Sequence, residues 1–74
     1  MNVQNFLSLA YREQLKLLNE TGRLKKTIVL NNYHYSLYEV GRFYVELKRG
    51  VRELNFEGIR AFDDHELPSY YKES

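Results

Sequence analysis

A two-residue turn between two runs of alternating apolar residues constrains the fold of this chain more than any other feature. Gly41 and Arg42 separate Val40 from Phe43, and a glycine in the first central position suits a type II′ turn. A loop of this length fixes the register of the two strands that it joins. The predicted cross-strand pairs are Val40 with Phe43, Tyr38 with Val45, and Ser36 with Leu47.

This register divides the side chains of the hairpin between two faces. The face predicted to lie against the core carries Ser36, Tyr38, Val40, Phe43, Val45 and Leu47. The reverse face carries Tyr35, Leu37, Glu39, Tyr44, Glu46 and Lys48. The first set is mainly apolar and the second is mixed, so we expect water to cover the reverse face. A register slip of one residue would exchange the two faces.

Residues 5–21 show the spacing of an amphipathic helix. The predicted apolar stripe consists of Leu7, Tyr11, Leu15 and Leu18, widened by Ala10 and Leu17. Either Asn5 or Ser8 could cap the start of this helix. Gly22 is expected to end it in a left-handed conformation, and Leu24 is placed for the apolar contact that often accompanies such a cap.

A first strand is predicted over residues 25–31, which are β-branched and apolar at their centre. An Asn31-Asn32 turn would then send residues 33–40 back antiparallel to it, since asparagine tolerates left-handed backbone conformations. An alternative interpretation makes residues 24–40 one long bent strand.

The last strand is expected after a connection near residues 49–52. Leu54 and Phe56 would share a face there, and a bulge at Gly58 would return the row that continues with Ile59 to the same face. The sequence therefore predicts a meander of three or four strands.

Beyond the last strand, two aspartates can cap a short helix or turn. Either a turn over Asp64 to Leu67 precedes a helix that starts near Pro68, or this segment is irregular. A ring of Tyr70 or Tyr71 is expected to pack against the sheet.

Together these segments predict an α+β fold in a single domain, residues 1–74. An N-terminal amphipathic helix packs on an antiparallel β-meander of three to four strands, and a short C-terminal helix or turn follows. At this length one hydrophobic core supplies only about 3 to 5 kcal/mol, and no cysteine is present to form a disulfide. Self-association is therefore an expected source of additional stability.

A group of residues in the hairpin and the last strand forms a recurring type of signature. Its members are Leu37-Tyr38, Val40, a two-residue turn, Phe43-Tyr44-Val45-Glu46 and Ile59-Arg60-Ala61-Phe62. The pattern resembles an uncharacterised family of small bacterial α+β proteins, although Gly41-Arg42 departs from the Asp-Asn type of turn associated with it. The resemblance implies the fold and brings no activity, cofactor or partner to these positions.

Charge and composition exclude several classes of function. The chain has 11 basic and 10 acidic side chains, a net charge of +1, which is far from the balance of a dedicated nucleic-acid binder. The absence of cysteine excludes thiolate zinc sites and cysteine nucleophiles. No apolar run approaches the roughly 20 residues of a membrane span, and the first residues lack a secretory signal. We therefore expect a cytoplasmic protein that does not associate with membranes.

Two histidines lie near groups that could carry chemistry. Asp63, Asp64, His65 and Glu66 offer oxygen and nitrogen ligands for a divalent metal, but adjacent side chains on a turn diverge. His34 could act as a general base, yet no nucleophile is identifiable near it in the sequence. We therefore expect no catalytic, cofactor-binding or metal-ligating residue, and no enzymatic activity from a domain with little room for a walled pocket.

Seven tyrosines are the most unusual feature of the composition. The predicted interaction surface consists of Tyr35, Leu37, Arg42, Tyr44 and Lys48. Our first hypothesis is a small protein–protein interaction or accessory module that binds a protein partner, or a second copy of itself as a homodimer, through an exposed sheet face or edge. The alternative is a weak RNA or single-stranded DNA binder that uses tyrosine and arginine side chains, which Glu39 and Glu46 on the same face would oppose.

Overall fold

Two helices precede a four-stranded antiparallel sheet, and two short 3-10 turns follow it. The computed structural model describes residues 1–72. The elements are α1 (Val3–Leu7), α2 (Tyr11–Thr21), β1 (Arg23–Leu30), β2 (Tyr33–Val40), β3 (Phe43–Gly50), β4 (Gly58–Asp63), and 3-10 turns at Asp64–Glu66 and Ser69–Tyr71. The strands lie in the order β1-β2-β3-β4, so the predicted α+β meander is confirmed with four strands.

Both two-residue turns form as predicted and set the register of the sheet. Gly41 has a φ of 60°, which a type II′ turn requires at its first position, and Val40 lies opposite Phe43. Asn31 and Asn32 have φ values of 52° and 68°, the combination of a type I′ turn. Because this turn separates β1 from β2, the alternative of one long bent strand is wrong.

The core lies between the sheet and the two helices. Its buried members are Phe6, Leu18, Val40, Phe43, Val45 and Leu47. The rings of Phe6 and Phe43 pack with their centroids 5.8 Å apart. Four of these six residues belong to the face that the hairpin register predicts to be buried, so the assignment of the core face is confirmed.

The prediction of one continuous helix over residues 5–21 is wrong, because the chain breaks between α1 and α2. Asn2, rather than Asn5 or Ser8, caps α1: its Oδ1 accepts from the Asn5 N–H at 2.8 Å, and the Asn5 Oδ1 accepts from the Asn2 N–H at 3.2 Å. Ser8 ends α1, and α2 begins after Ala10. Neither helix described within residues 1–72 has the length and apolar character of a membrane span.

The break changes which side chains of the helices reach the core. Leu7 and Tyr11, two members of the predicted stripe, are 47% and 48% exposed, whereas Phe6 is fully buried. Gln14 is also buried, and its side-chain amide donates to the Phe6 carbonyl at 3.0 Å. The Phe6 carbonyl also accepts from the Leu9 N–H at 3.1 Å, so this carbonyl at the end of α1 has two donors.

Gly22 ends α2 for a different reason from the one predicted. Its φ is −75°, so the residue is extended rather than left-handed. A Cβ at this position would lie 2.7 Å from the Leu18 carbonyl oxygen, so the close passage of the backbone requires glycine. Leu24, which was expected to make an apolar contact with the end of this helix, has a side chain that is 58% exposed.

The segment between β3 and β4 is a loop, and the prediction that Leu54 and Phe56 begin the last strand is wrong. Leu54 is 94% exposed and Phe56 36%. The loop bonds to itself and to the end of β3: the Glu53 N–H donates to the Gly50 carbonyl at 3.0 Å, and the Arg49 guanidinium donates to the Glu53 carbonyl at 2.6 Å. These local bonds turn the backbone away from the ladder, and β4 begins at Gly58.

Candidate functional site

The C-terminal strap, residues 67–72, covers the reverse face of the sheet. Pro68, with a φ of −56°, leads into the second 3-10 turn, and the order of a turn followed by a helical turn near Pro68 matches the first predicted alternative. The turn brings Tyr71 onto the sheet, where it is 6% exposed. Lys26 of β1 donates from Nζ to the Tyr71 carbonyl at 3.1 Å. The expectation that a tyrosine ring packs on the sheet is therefore confirmed.

Glu46, at the centre of β3, is the residue that holds the strap. It is 1% exposed, so its predicted place on a water-covered face is wrong. Its Oε2 accepts from the Tyr70 hydroxyl at 2.5 Å and from the Tyr71 hydroxyl at 2.9 Å. Its Oε1 accepts from Arg60 Nε at 3.0 Å, and Arg60 Nη2 lies at the same distance. We refer to Glu46, Arg60, Tyr70 and Tyr71 as the Glu46 cluster.

The sheet register places the cation of the Glu46 cluster. Arg60 of β4 lies directly opposite Glu46 of β3, so the two side chains leave the same face of neighbouring strands. Arg60 Nη2 also donates to the Tyr70 hydroxyl oxygen at 2.9 Å. That hydroxyl therefore accepts from the guanidinium while it donates to the carboxylate, and the three groups form a closed network.

Every buried side-chain nitrogen and oxygen in residues 1–72 has a hydrogen-bond partner. This matters most at Glu46, because a buried carboxylate is costly unless hydrogen bonds and an opposite charge compensate it. The guanidinium and the two hydroxyls provide that compensation on both oxygens. Their chemical effect is to fasten the C-terminal strap to the middle of the sheet.

The tyrosines of the cluster hold their protons tightly. Burial, followed by the hydrogen bond to Glu46, raises the pKa of Tyr70 to about 12. The same two causes raise the pKa of Tyr71. For Arg60, burial lowers the pKa, but the hydrogen bond and charge of Glu46 outweigh it, so the net shift is upward. Both phenols therefore stay protonated near neutral pH and do not act as bases there, and the Glu46 cluster has a structural role, which is to hold the C-terminal strap on the sheet.

Little in the amino-acid sequence predicts the Glu46 cluster. Glu46 follows Val45 and precedes Leu47 in an ordinary alternating strand, and its tyrosine partners lie 24 and 25 residues away. The one usable signal is the pair of tyrosines just after Pro68, which suggested a ring on the sheet but not the acceptor beneath it.

The structure does not bring the predicted interaction surface together as one exposed patch. Leu37 is 4% exposed, so its expected exposure is wrong. Tyr35 is half-buried, and its ring packs against Tyr70 with centroids 5.4 Å apart. Tyr44 and Lys48 are also half-buried, and Arg42 is exposed at the opposite end of the hairpin from the strand end that carries Lys48. The strap accounts for this, because it occupies the middle of the face that these residues share.

The acidic segment after β4 lies on the surface. Asp63, Asp64, His65 and Glu66 are all exposed, and three of them form the first 3-10 turn. Within residues 1–72, no three histidine, aspartate or glutamate side chains are grouped so that they could hold a metal ion. His34 is half-buried on β2, between Val29 of β1 and Arg49 of β3.

The outer side of β1 forms an open sheet edge. Within residues 1–72, β1 pairs with β2 alone, and the helices pack chiefly over β2 and β4. Three large apolar side chains of this strand are consequently exposed: Leu24 at 58%, Val29 at 60% and Leu30 at 41%. We call the outer side of Lys26–Leu30 the β1 edge.

A scan against protein-family models, a search of curated proteins and a search of solved structures each found no match for this chain. The resemblance of the hairpin to a family of small bacterial proteins therefore stays a prediction.

Proposed function

We propose that this chain is a small protein–protein interaction module that contacts its partner through the β1 edge. The reverse face of the sheet is occupied by the C-terminal strap, so the edge is the more accessible of the two contacts expected from the sequence. The observation that carries the proposal is a strand with one unpaired side and exposed apolar residues, Val29 and Leu30, at the end that leads into the Asn31-Asn32 turn. An extended segment of a partner can add to such an edge as a further strand.

The position of the Asn31-Asn32 turn determines which backbone groups the edge offers. A two-residue hairpin closes with a hydrogen-bonded pair, which here is Leu30 with Tyr33. Hydrogen-bonded and non-hydrogen-bonded pairs then alternate along the strands. Thr27 and Val29 therefore direct their N–H and C=O groups away from β2, and these are the groups that a partner strand would engage.

Two features limit how much of β1 can pair. The register with β2 shifts between Leu24 and Lys26, which leaves Lys25 as an irregular position. Lysines on an edge also discourage indiscriminate pairing. The regular part of the edge is Lys26–Leu30, a length suited to a weak, selective contact rather than to a large permanent interface.

The nucleic-acid hypothesis has weaker support. Base stacking needs free aromatic faces, but the Tyr35 ring is packed against Tyr70, and Lys48 Nζ lies 4.1 Å from the centroid of the Tyr33 ring. Lys48 is also 3.7 Å from a carboxylate oxygen of Glu57, which reduces its availability to a phosphate. Titration with mixed oligonucleotides at low salt tests this alternative directly.

A single charged substitution tests the proposed function. We expect Val29→Lys to abolish both self-association and retention of any partner, because it places a charge at an exposed apolar position of the edge. The matched control is Leu7→Lys, at an exposed apolar position on α1. Affinity capture from a lysate of the source organism and sedimentation are run on both variants and on the wild type. A partner or dimer that persists in Val29→Lys, or the lack of any association by the wild type, contradicts the proposal.

A further inference from the structure

We infer that the partner at the β1 edge is a second copy of this chain, bound in an antiparallel arrangement about a twofold axis through Ile28. The inference rests on the proposed function and identifies its partner. It would join two four-stranded sheets into one sheet of eight strands, with the helices of both copies on the same side.

The backbone of the edge is self-complementary in this arrangement. With Ile28 opposite Ile28 of the second copy, Thr27 of each chain lies opposite Val29 of the other. Both residues direct their N–H and C=O groups outward, so each of these pairs forms two hydrogen bonds. A cyclic dimer presents the same patch twice, as this pairing requires.

The irregular position at Lys25 selects this register over the one centred on Thr27. A twofold axis at Thr27 would place Lys25, where the β1 register shifts, opposite Val29 of the second copy. It would also bring the two Lys26 side chains within about 7 Å along the strands, at a rise of about 3.3 Å per residue. An axis at Ile28 separates the two Lys26 residues by about 13 Å along the strands, beyond the Debye length of about 10 Å at 0.1 M salt.

The turn excludes the register centred on Val29. That axis would place Lys26 and Thr27 opposite the Asn31-Asn32 turn of the second copy, where no extended backbone is available. Only the axis at Ile28 pairs the whole regular segment Lys26–Leu30 with itself.

The same register gives each exposed apolar side chain of the edge a suitable neighbour. Val29, 60% exposed, would lie beside Thr27 of the second copy on the helix side of the sheet. Leu30, 41% exposed, would lie beside the aliphatic stem of Lys26 of the second copy on the reverse side. The contact is small, so we expect a reversible dimer that forms as concentration rises.

Single cysteines provide a sharp test, because the chain has none of its own. The two copies of Ile28 would form a non-hydrogen-bonded pair with a Cα separation of about 4.5 Å, within the range that a disulfide bridges. The two copies of Thr27, and likewise of Val29, would lie diagonally about 8 Å apart, which a disulfide does not span. Oxidation should therefore cross-link Ile28→Cys into a dimer and leave Thr27→Cys and Val29→Cys mainly monomeric.

Sedimentation of the unmodified chain keeps the test independent of any effect of these substitutions on folding. The mass should rise from 8.9 kDa toward twice that value as concentration increases. Preferential cross-linking through Thr27→Cys or Val29→Cys overturns the inferred register. A wild-type chain that stays monomeric but retains a different protein through Val29 overturns the homodimer and leaves the proposed function standing. A monomer that retains nothing overturns both.

Discussion

Single residues explain how the reverse face of this sheet is closed. Glu46 stands on a face where the alternation of the hairpin predicts water, yet it is 1% exposed because two tyrosine hydroxyls and a guanidinium meet it there. Alternation reports which face a side chain occupies, but it does not report what lies over that face. The partners of Glu46 come from parts of the chain that no local pattern connects to it, and for this reason the sequence could not predict the Glu46 cluster.

We predict that Tyr70 stabilises the fold in a pH-dependent way. Its pKa is about 12 in the folded chain and about 10 in an unfolded one, so the folded state holds the proton more tightly. Its contribution is therefore complete below pH of about 10 and is lost as the pH rises toward about 12. Tyr70→Phe should lower the free energy of unfolding by about 1.5 to 3 kcal/mol at neutral pH, the range for a hydrogen bond to a charged group.

Urea unfolding of the wild type and of Tyr70→Phe, repeated from neutral to alkaline pH, measures this difference. It should shrink above pH of about 10, since the wild type alone loses the contribution. Tyr11→Phe, at an exposed tyrosine, is the control and should differ little from the wild type at neutral pH. If the difference in free energy of unfolding between the wild type and Tyr70→Phe stays constant throughout the alkaline range, the prediction for the Tyr70 phenol in the Glu46 cluster is wrong.

Among the elements, those defined by local chemistry were predicted well and those that depend on distant contacts were not. Gly41 and the Asn31-Asn32 pair set both tight turns, and with them the register of three strands. The apolar spacing of residues 5–21 continues through the break between the helices, so the spacing alone does not reveal the break. The contacts that accompany the break are the Asn2 cap and the hydrogen bond from Gln14 to the Phe6 carbonyl. Leu54 and Phe56 have the alternating spacing of a strand, but their segment is a loop with local hydrogen bonds from Glu53 N–H to the Gly50 carbonyl and from Arg49 to the Glu53 carbonyl.

We predict that any residue other than glycine at position 41 would strain the backbone of the turn. A Cβ at Gly41 would meet no atom within 4 Å, so the cost of Gly41→Ala comes from the left-handed backbone alone and should be about 1 to 2 kcal/mol. Gly58→Ala is the matched control, because that glycine is not left-handed and its Cβ would make ordinary contact with Lys48 at 3.8 Å. Denaturant unfolding of both variants checks the prediction, and equal effects would contradict it.

Within residues 1–72 the molecule is one sheet with both faces covered at least in part, and β1 and β4 are its two edge strands. The helices cover the core face, and the C-terminal strap covers the centre of the reverse face. The part of the sheet least covered by either is β1, whose outer backbone groups have no partner within residues 1–72. The sequence predicted an interaction through a sheet face or an edge, and we propose the edge because the strap occupies the centre of the reverse face.

Amide hydrogen exchange at single-residue resolution, compared between dilute and concentrated samples, shows whether the outer amides of β1 become paired when the chain associates. In the dilute monomer, the amides of Ile28 and Leu30 should be protected by β2, whereas those of Thr27 and Val29 should exchange rapidly. At high concentration the Thr27 and Val29 amides should become protected, while exchange elsewhere on the surface stays the same. Thr27 and Val29 amides that are already protected in the dilute chain, or that stay unprotected in an associated one, would contradict a contact through the β1 edge.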